Sequence, residues 1–242
     1  EKFSMTMITF PIIGYHHSPL TQKFGIPRQP NLVQVSSHIE FVPPYDNVAA
    51  FEGIENYSHL WIIWQFHHNR PQANFRPQVR PPRFGGNAKM GVFATRSMYR
   101  PSPLGLSVVR LERLEVINHK VRLYIIGADM ADGTPIFDIK PYLAFSDSIT
   151  DAISQQIDTP SMRKTAIDTK AKQVFDGLIR QGVLEDADVQ IIQGLIAQDP
   201  RPAYRQDEVG TIFALRYDGV DVDFLMNEIG VLMIVGVRLI GS

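Results

Sequence analysis

The chain contains no cysteine. That excludes disulfides, thiolate nucleophiles, cysteine-ligated zinc and iron–sulfur chemistry. Long apolar runs are missing as well. The longest, Ile229 to Ile240, is interrupted by Arg238 and two glycines. A bilayer-spanning helix needs about 20 apolar residues, so this run reads as a buried strand and no membrane partner is expected. The amino end shows no charged segment leading into an apolar stretch and a small-residue cleavage site, so no secretory signal is expected. Without signal or disulfides, the expected location is cytoplasmic. Several chemical signatures are absent too. No Gly-x-Gly-x-x-Gly follows a strand, no phosphate-binding Walker loop occurs, and no Gly-x-Ser-x-Gly elbow is present. A Rossmann cofactor site and the commonest hydrolase reading are thereby set aside.

One absence is local. Between Glu55 and Glu112 there is no carboxylate, whereas the same window holds Arg70, Arg76, Arg80, Arg83, Lys89, Arg96, Arg100 and Arg110. The net charge of the whole chain is only −1, so the asymmetry lies in the distribution. Such segregation makes a positive region suited to a polyanion, unless these cations pair with acids from elsewhere in the fold. Arginine's planar fork matches phosphate and also stacks on bases.

What is present is an ordinary globular balance, 44% hydrophobic and 20% charged over 242 residues, enough for one large domain or a medium and a small one. Short β-rich runs recur at Ile8–Ile13, His59–Phe66, Gly91–Thr95, Leu104–Val116 and Val121–Ile126, and Asn118-His119 suits a turn between the last two. A short helix fits Val48–Ile54. Strands without long intervening helices predict a barrel or sandwich. Beyond a polar stretch at Ser146–Thr159, the apolar spacing predicts helices over Met162–Gln181 and Asp188–Ala197, the second capped by Asp186 or Asp188. Strands follow at Thr211–Tyr217, Val220–Leu225 and Val231–Leu239, with Asp218-Gly219 a hairpin turn. The fold predicted is mainly β: an N-terminal β-barrel over residues 1–144 and a smaller α+β domain over 145–242.

The residues alone leave the chemistry open. His59, His67 and His68 suggest a metal, but neighbours on a strand point to opposite faces, so hydrogen-bonding histidines and no metal are expected. Asp129, Asp132 and Asp138 around Gly133-Thr134-Pro135 fit a general-base pair or, more simply, carboxylates satisfied at a turn. Gly85-Gly86-Asn87 fits a phosphate cradle or a plain turn. Asp199-Pro200-Arg201-Pro202 with Tyr204 and Arg205 fits a base-stacking, phosphate-holding connector or a capping loop.

Taken together, several segments resemble the TsaA-like family of TrmO-type tRNA methyltransferases. They are Pro27-Arg28-Gln29-Pro30, the run Gly53 to Ile62, Phe66-His67, the run Arg80 to Arg96, Arg100-Pro101, Gly105, Asp132-Gly133-Thr134-Pro135, Asp138 to Tyr142, and Asp199 to Tyr204. The resemblance implies a β-barrel that binds S-adenosyl-L-methionine without a Rossmann sheet, in a homodimer with the cofactor near the subunit contact. It implies as substrate the threonylcarbamoyladenosine beside the anticodon in the tRNA anticodon stem-loop, methylated on its exocyclic nitrogen. Matched residue by residue, the cofactor site would use Pro27, Arg28, Gln29, His67, His68, Arg96, Leu106, Asp132, Gly133, Thr134 and Pro135. Arg28 or Arg96 would suit the methionine carboxylate. Asp138 or Tyr142 would accept the departing proton. Arg76, Arg80, Arg83, Lys89 and Arg100 would hold phosphates, with Arg201, Tyr204 and Arg205 on the loop bases.

Overall fold

The computed structural model describes residues 8–70, 74–81, 89–154 and 162–241. In chain order the first part carries β1 (Gly14–His17), β2 (Ser36–Phe41), β3 (His59–Gln65), the two-residue strands β4 (Gln78–Val79) and β5 (Met90–Gly91), β6 (Leu104–Ile117), β7 (Lys120–Ile126) and β8 (Pro135–Pro141), then a single helical turn, α1 (Ala144–Asp147). The second part carries β9 (Thr165–Ile167), α2 (Thr169–Arg180), α3 (Asp186–Ala197), β10 (Phe213–Tyr217), β11 (Val220–Met226) and β12 (Leu232–Leu239). The protein is mainly β, and its two long helices fall in the carboxyl-terminal part.

Six antiparallel strands close on themselves in the order β1-β2-β7-β6-β3-β8. Period-2 alternation explains which faces they bury. Leu60, Ile62 and Trp64 of β3 point inward, as do Ile39, Val109, Val121, Leu123, Ile125 and Ile136, and these form one apolar core. Gly14 lets β1 lie against β2, where a Cβ would come 2.6 Å from the Glu40 carbonyl oxygen. The Asn118-His119 turn has both residues at positive φ and joins Ile117 to Lys120 directly.

The second core is built on the sheet β10-β11-β12-β9, in which β9 runs parallel to β12. On α2, Ala171, Phe175 and Leu178 recur on one face and are buried, the spacing that faces a helix inward. Asp168 caps this helix by accepting from Lys170 N. A reciprocal capping box of Glu185 and Asp188 opens α3. The two-residue Asp218-Gly219 loop joins β10 to β11. Leu20, Val33 and Val35, from the segment between β1 and β2, are buried in this second core beside Phe175, Ile192, Leu215 and Phe224. The boundary in space therefore does not follow one point in the sequence.

Several expected elements differ. Residues 8–13 form no strand, and pairing begins at Gly14, where a register with Phe41 exists. Val92–Ala94 is a 3-10 turn; Pro77 O takes the Val92 amide, but proline has no N–H to return a bond, so the ladder goes no further. Val48–Ile54 resolves into 3-10 turns at Val48–Phe51 and Ile54–Asn56, separated by Gly53 at φ 84°. The first long helix starts at Thr169, because residues 165–167 are drawn into β9. Strands β2 and β8 carry a polar or charged residue at alternate positions and prolines at the ends of β8, which hid them from a search for apolar runs.

Candidate functional site

The loop from Gly127 to Thr134, between β7 and β8, is held by a dense set of bonds to the start of the chain. Gly127 has φ 87°, and a Cβ there would lie 2.6 Å from Asn31 Oδ1. Asp132 N donates to Leu20 O at 2.9 Å and Gly133 N to His16 O at 2.8 Å, while His16 N donates to Thr134 O at 2.9 Å. Asp132 Oδ1 accepts from Ser18 N, and the buried Thr134 hydroxyl donates to Ala131 O. The loop and the β1 end thus form one rigid body. His16 completes it: its fully buried ring donates through Nδ1 to Ala131 O at 3.1 Å. Burial holds this imidazole neutral, with its pKa pulled down to about 4. Its Nε2 has no partner among the described residues.

Beside this body, Arg96 Nη1 donates to Gln29 Oε1 at 2.6 Å, so two of the matched residues meet directly. Pro27 is buried and Arg28 reaches the other way, donating to the Asp199 carbonyl oxygen at 3.2 Å. His67 and His68 lie past the end of β3, so strand alternation does not separate them; their ring centroids are 3.9 Å apart with the planes tilted by 37°. Burial, followed by the His68 charge, lowers the His67 pKa, and the Asp132 carboxylate is close enough to oppose that shift. Lys23 donates to His68 O and Asn69 Oδ1, fixing this turn. Leu106 is 56% exposed on the outer barrel wall. In register it lies beside Ile63, whose other neighbour is Asp138.

Asp138 sits on that outer wall in an ion pair with Lys140 at 2.9 Å. Tyr142 packs against Trp61 and His59 beyond the end of β8. Neither makes a described contact with Arg96, Gln29 or the 127–134 loop. Of the three carboxylates read around the Gly133 turn, Asp129 is the one held by a network that the sequence did not show. Its Oδ1 accepts from Ser107 Oγ at 2.5 Å, and Ser107 Oγ accepts from Trp64 Nε1 at 2.9 Å. Burial pushes the Asp129 carboxyl up to about 6, against the pull of Ser107 and the Arg96 charge. Its signal in the sequence was an acid wedged between the apolar residues Ala128 and Met130.

Among the described residues, no carboxylate lies within ion-pair distance of Arg70, Arg76, Arg80, Lys89, Arg96, Arg100 or Arg110. Arg83 and the Gly85-Gly86-Asn87 segment lie outside the described residues. Arg100 donates to Thr95 O. Exposed Phe75, Phe93 and Tyr99 are interleaved with these cations. Arg201 is different. It is fully buried, clamps Asp199 at 2.7 and 2.9 Å and donates to the carbonyls of Glu208 and Gln206. With its fork occupied, it braces the 199–208 loop and does not reach out to bases as expected. Arg205 is bound by Glu208, whereas Tyr204 stands 86% exposed on the same loop. As for metal ligands, donor atoms of His17, His38 and Glu40 lie within 4.8 Å of one another, but the Glu40 oxygens are taken by Lys120 and Arg122.

Comparison with known proteins gives a consistent answer. The family model for the tRNA-methyltransferase O N-terminal domain matches residues 15–148, and that for the TrmO C-terminal domain matches 172–238. The tRNA (adenine(37)-N6)-methyltransferase of Escherichia coli strain K12 is 41% identical over 93% of this chain and 96% of its own. A Pseudomonas aeruginosa relative whose name carries S-adenosylmethionine-dependent methyl transfer is 40% identical over 87% of this chain and 89% of its own. A crystal structure of TrmO from Pseudomonas aeruginosa superposes with a TM-score of 0.79 at 32% identity, covering 98% of this chain and 100% of that one.

Proposed function

The chain belongs to the TrmO family of tRNA methyltransferases, and on that premise we propose that it methylates the exocyclic N6 of threonylcarbamoyladenosine at the position beside the anticodon. The coarser activity, S-adenosylmethionine-dependent methylation of adenine 37 in tRNA, follows from the relatives; the threonylcarbamoyl group is the finer reading. The observation that carries the methyltransferase reading is the meeting of Gln29 and Arg96 beside the loop that bears Asp132 to Pro135, next to cations that no described carboxylate pairs.

The donor set fits S-adenosylmethionine. An exposed guanidinium at Arg96 suits the methionine carboxylate, since its fork binds such a group in bidentate fashion. Asp132 and the carbonyls of its loop suit the ammonium, and His67 offers a ring face. The bound cofactor supplies an electrophilic methyl on a sulfonium; positioning dominates the rest of the catalysis. The chain's own groups orient donor and acceptor, and the tight bonding of the 127–134 loop pre-sets that geometry. Arg76, Arg80, Lys89 and Arg100 hold the stem phosphates, and Phe93, Tyr99 and Tyr204 stack on unpaired bases. Leu106, exposed on the barrel wall, suits a homodimer contact that lies beside the cofactor. We place this activity in the cytoplasm.

The experiment is methyl transfer from labelled S-adenosylmethionine to bulk tRNA, followed by nucleoside digestion and mass spectrometry. Methylated threonylcarbamoyladenosine is the expected product. Methylation of unmodified adenosine instead would remove the threonylcarbamoyl requirement, and no label in tRNA would overturn the reading.

A further inference from the structure

Transfer of a methyl group to N6 leaves a proton that must go somewhere. Asp138 is ion-paired with Lys140 on the outer wall, and Tyr142 is packed beyond the end of β8. Asp129 has a different setting. It stands on the same loop as Asp132 to Thr134, and among the described residues Arg96 is the charged group that acts on it. A relay from Trp64 through Ser107 fixes its Oδ1 from inside the barrel. Its Oδ2 makes no hydrogen bond to another described residue.

We propose that Asp129 is the catalytic base of methyl transfer, taking the N6 proton on Oδ2 while Ser107 and Trp64 hold Oδ1. The proposal rests on the methyltransferase reading above. In the step, N6 forms a bond to the methyl carbon and the carbon–sulfur pair stays with sulfur, which becomes a neutral thioether. The N–H pair stays on N6, and its proton passes to Asp129. Charge balances, because a cationic sulfonium and a carboxylate become a thioether and a carboxylic acid.

Three features of the surroundings favour this role over a purely structural one. A buried carboxyl with an elevated proton affinity is the kind of group that both takes and releases a proton near neutral pH. The relay fixes its orientation without neutralising it, since Ser107 is a neutral donor and Trp64 can only donate. Arg96, whose charge reaches it, is engaged with Gln29 and forms no ion pair with Asp129.

The test compares the full-length wild type with Asp129→Asn and Ser107→Ala. Single-turnover methylation of tRNA is measured across pH 5 to 9, with S-adenosylmethionine affinity by calorimetry and the Trp64 indole N–H resonance by 1H–15N spectroscopy. Asp129→Asn should lose roughly 100-fold or more in rate while cofactor affinity stays within about threefold. The wild-type rate should rise with pH through an inflection near 6, the value at which burial sets this carboxyl, and the Trp64 resonance should move with the same inflection. Both responses should vanish in Asp129→Asn. Ser107→Ala removes a hydrogen bond to the charged form, so the inflection should move to higher pH. An active wild type with an equally active Asp129→Asn would overturn the base alone. Cofactor affinity falling in step with rate would make Asp129 a cofactor anchor, and also overturn it. A wild type that methylates no tRNA would sink the proposal together with its premise.

Discussion

Gly105 leaves the space in which the indole of Trp64 lies: a Cβ at position 105 would overlap the ring at three of its atoms. The two face each other across the β3–β6 pair, and the ring so placed aims its N–H at Ser107, two residues along the same strand. Gly105→Ala must displace the indole or the strand. Overpacking a core of this kind costs about 1–3 kcal/mol, and here it also breaks the bond from Trp64 to Ser107. Urea unfolding should show that loss, and the Trp64 indole N–H resonance should shift. A variant as stable as wild type, with an unmoved resonance, would show the ring to be far looser than this packing implies.

Arg96 and Gln29 form a second testable pair. Arg96→Ala should weaken S-adenosylmethionine binding by roughly 10- to 150-fold, the span of about 1.5–3 kcal/mol for a hydrogen bond to a charged group. Gln29→Ala leaves the guanidinium in place but unanchored and should cost less. Thermal unfolding should be little changed in both, since Arg96 is exposed. Calorimetry decides; equal affinities for wild type and Arg96→Ala would remove this residue from the cofactor site.

Much of this was legible beforehand, and the failures have physical reasons. The long apolar strands, the Asn118-His119 and Asp218-Gly219 turns and the face of α2 are written in local periodicity. Strand β2, reading Ser36-Ser37-His38-Ile39-Glu40-Phe41, was invisible because half its residues face water or ion pairs and only its neighbours β1 and β7 make it a strand. Arg201 looked like a ligand for RNA because sequence gives a charge but not its partner. Asp199, two residues earlier, turns it inward. Asp129 was read only as one of three carboxylates at a turn, for the converse reason: its burial depends on Ser107 and Trp64, 22 and 65 positions away. The carboxylate-free window was readable as it stood, since no acid among the described residues comes to pair its described cations.

Truncation after residue 145 should fail. Leu20, Val33 and Val35 would lose the core they share with Phe175, Ile192 and Leu215, and the β1–β2 segment that carries Pro27, Arg28 and Gln29 would be left without support. Burying such a side chain is worth about 1.5–3 kcal/mol each. The fragment should aggregate or show exposed apolar surface by dye binding, and should bind S-adenosylmethionine poorly. A soluble, cofactor-binding fragment would show that the first core stands alone.

His16 and Asp129 oppose each other in acid. His16 has a folded pKa near 4, below its ordinary 6.5, so its contribution to stability is present above pH 6.5 and lost as pH falls toward 4. Asp129 has a folded pKa near 6, above its ordinary 3.8. Its charge therefore costs stability above pH 6, and that cost disappears as pH falls toward 4. Each amounts to about 3 kcal/mol at most, at about 1.4 kcal/mol per pH unit of displacement. Asp129→Asn should thus be more stable than wild type at pH 8 and gain nothing at pH 4, while its stability should fall more steeply than wild type's between pH 6 and 4. Urea midpoints at these pH values check the sign. A variant destabilised at pH 8 would mean that the ionised carboxylate is better solvated than its burial suggests.

Arg201 and Tyr204 lie three residues apart on one loop and should behave in opposite ways. Removing one member of a buried ion pair leaves the other charge uncompensated and costs about 3–5 kcal/mol. Arg201→Ala would strand Asp199, which is itself buried and among the described residues keeps as ion-pair partner Arg163, a partly exposed cation at 3.1 Å. The carbonyls of Gln206 and Glu208 would lose their donor as well. The variant should unfold at markedly lower urea, and any loss of tRNA binding should track that instability. Tyr204→Ala removes a ring that touches little of the protein, so its unfolding should match wild type. If the ring stacks on a base of the anticodon loop, tRNA affinity should fall by about 1–3 kcal/mol, the worth of one such stack, with S-adenosylmethionine affinity unchanged. Tyr204→Phe keeps the stacking face and should restore most of the binding. Filter binding at fixed salt separates these outcomes, because the phosphate contribution is then constant. An unaltered affinity in Tyr204→Ala would leave this exposed aromatic without a part in RNA recognition, and the basic face around Arg76, Arg80, Lys89 and Arg100 would have to carry it.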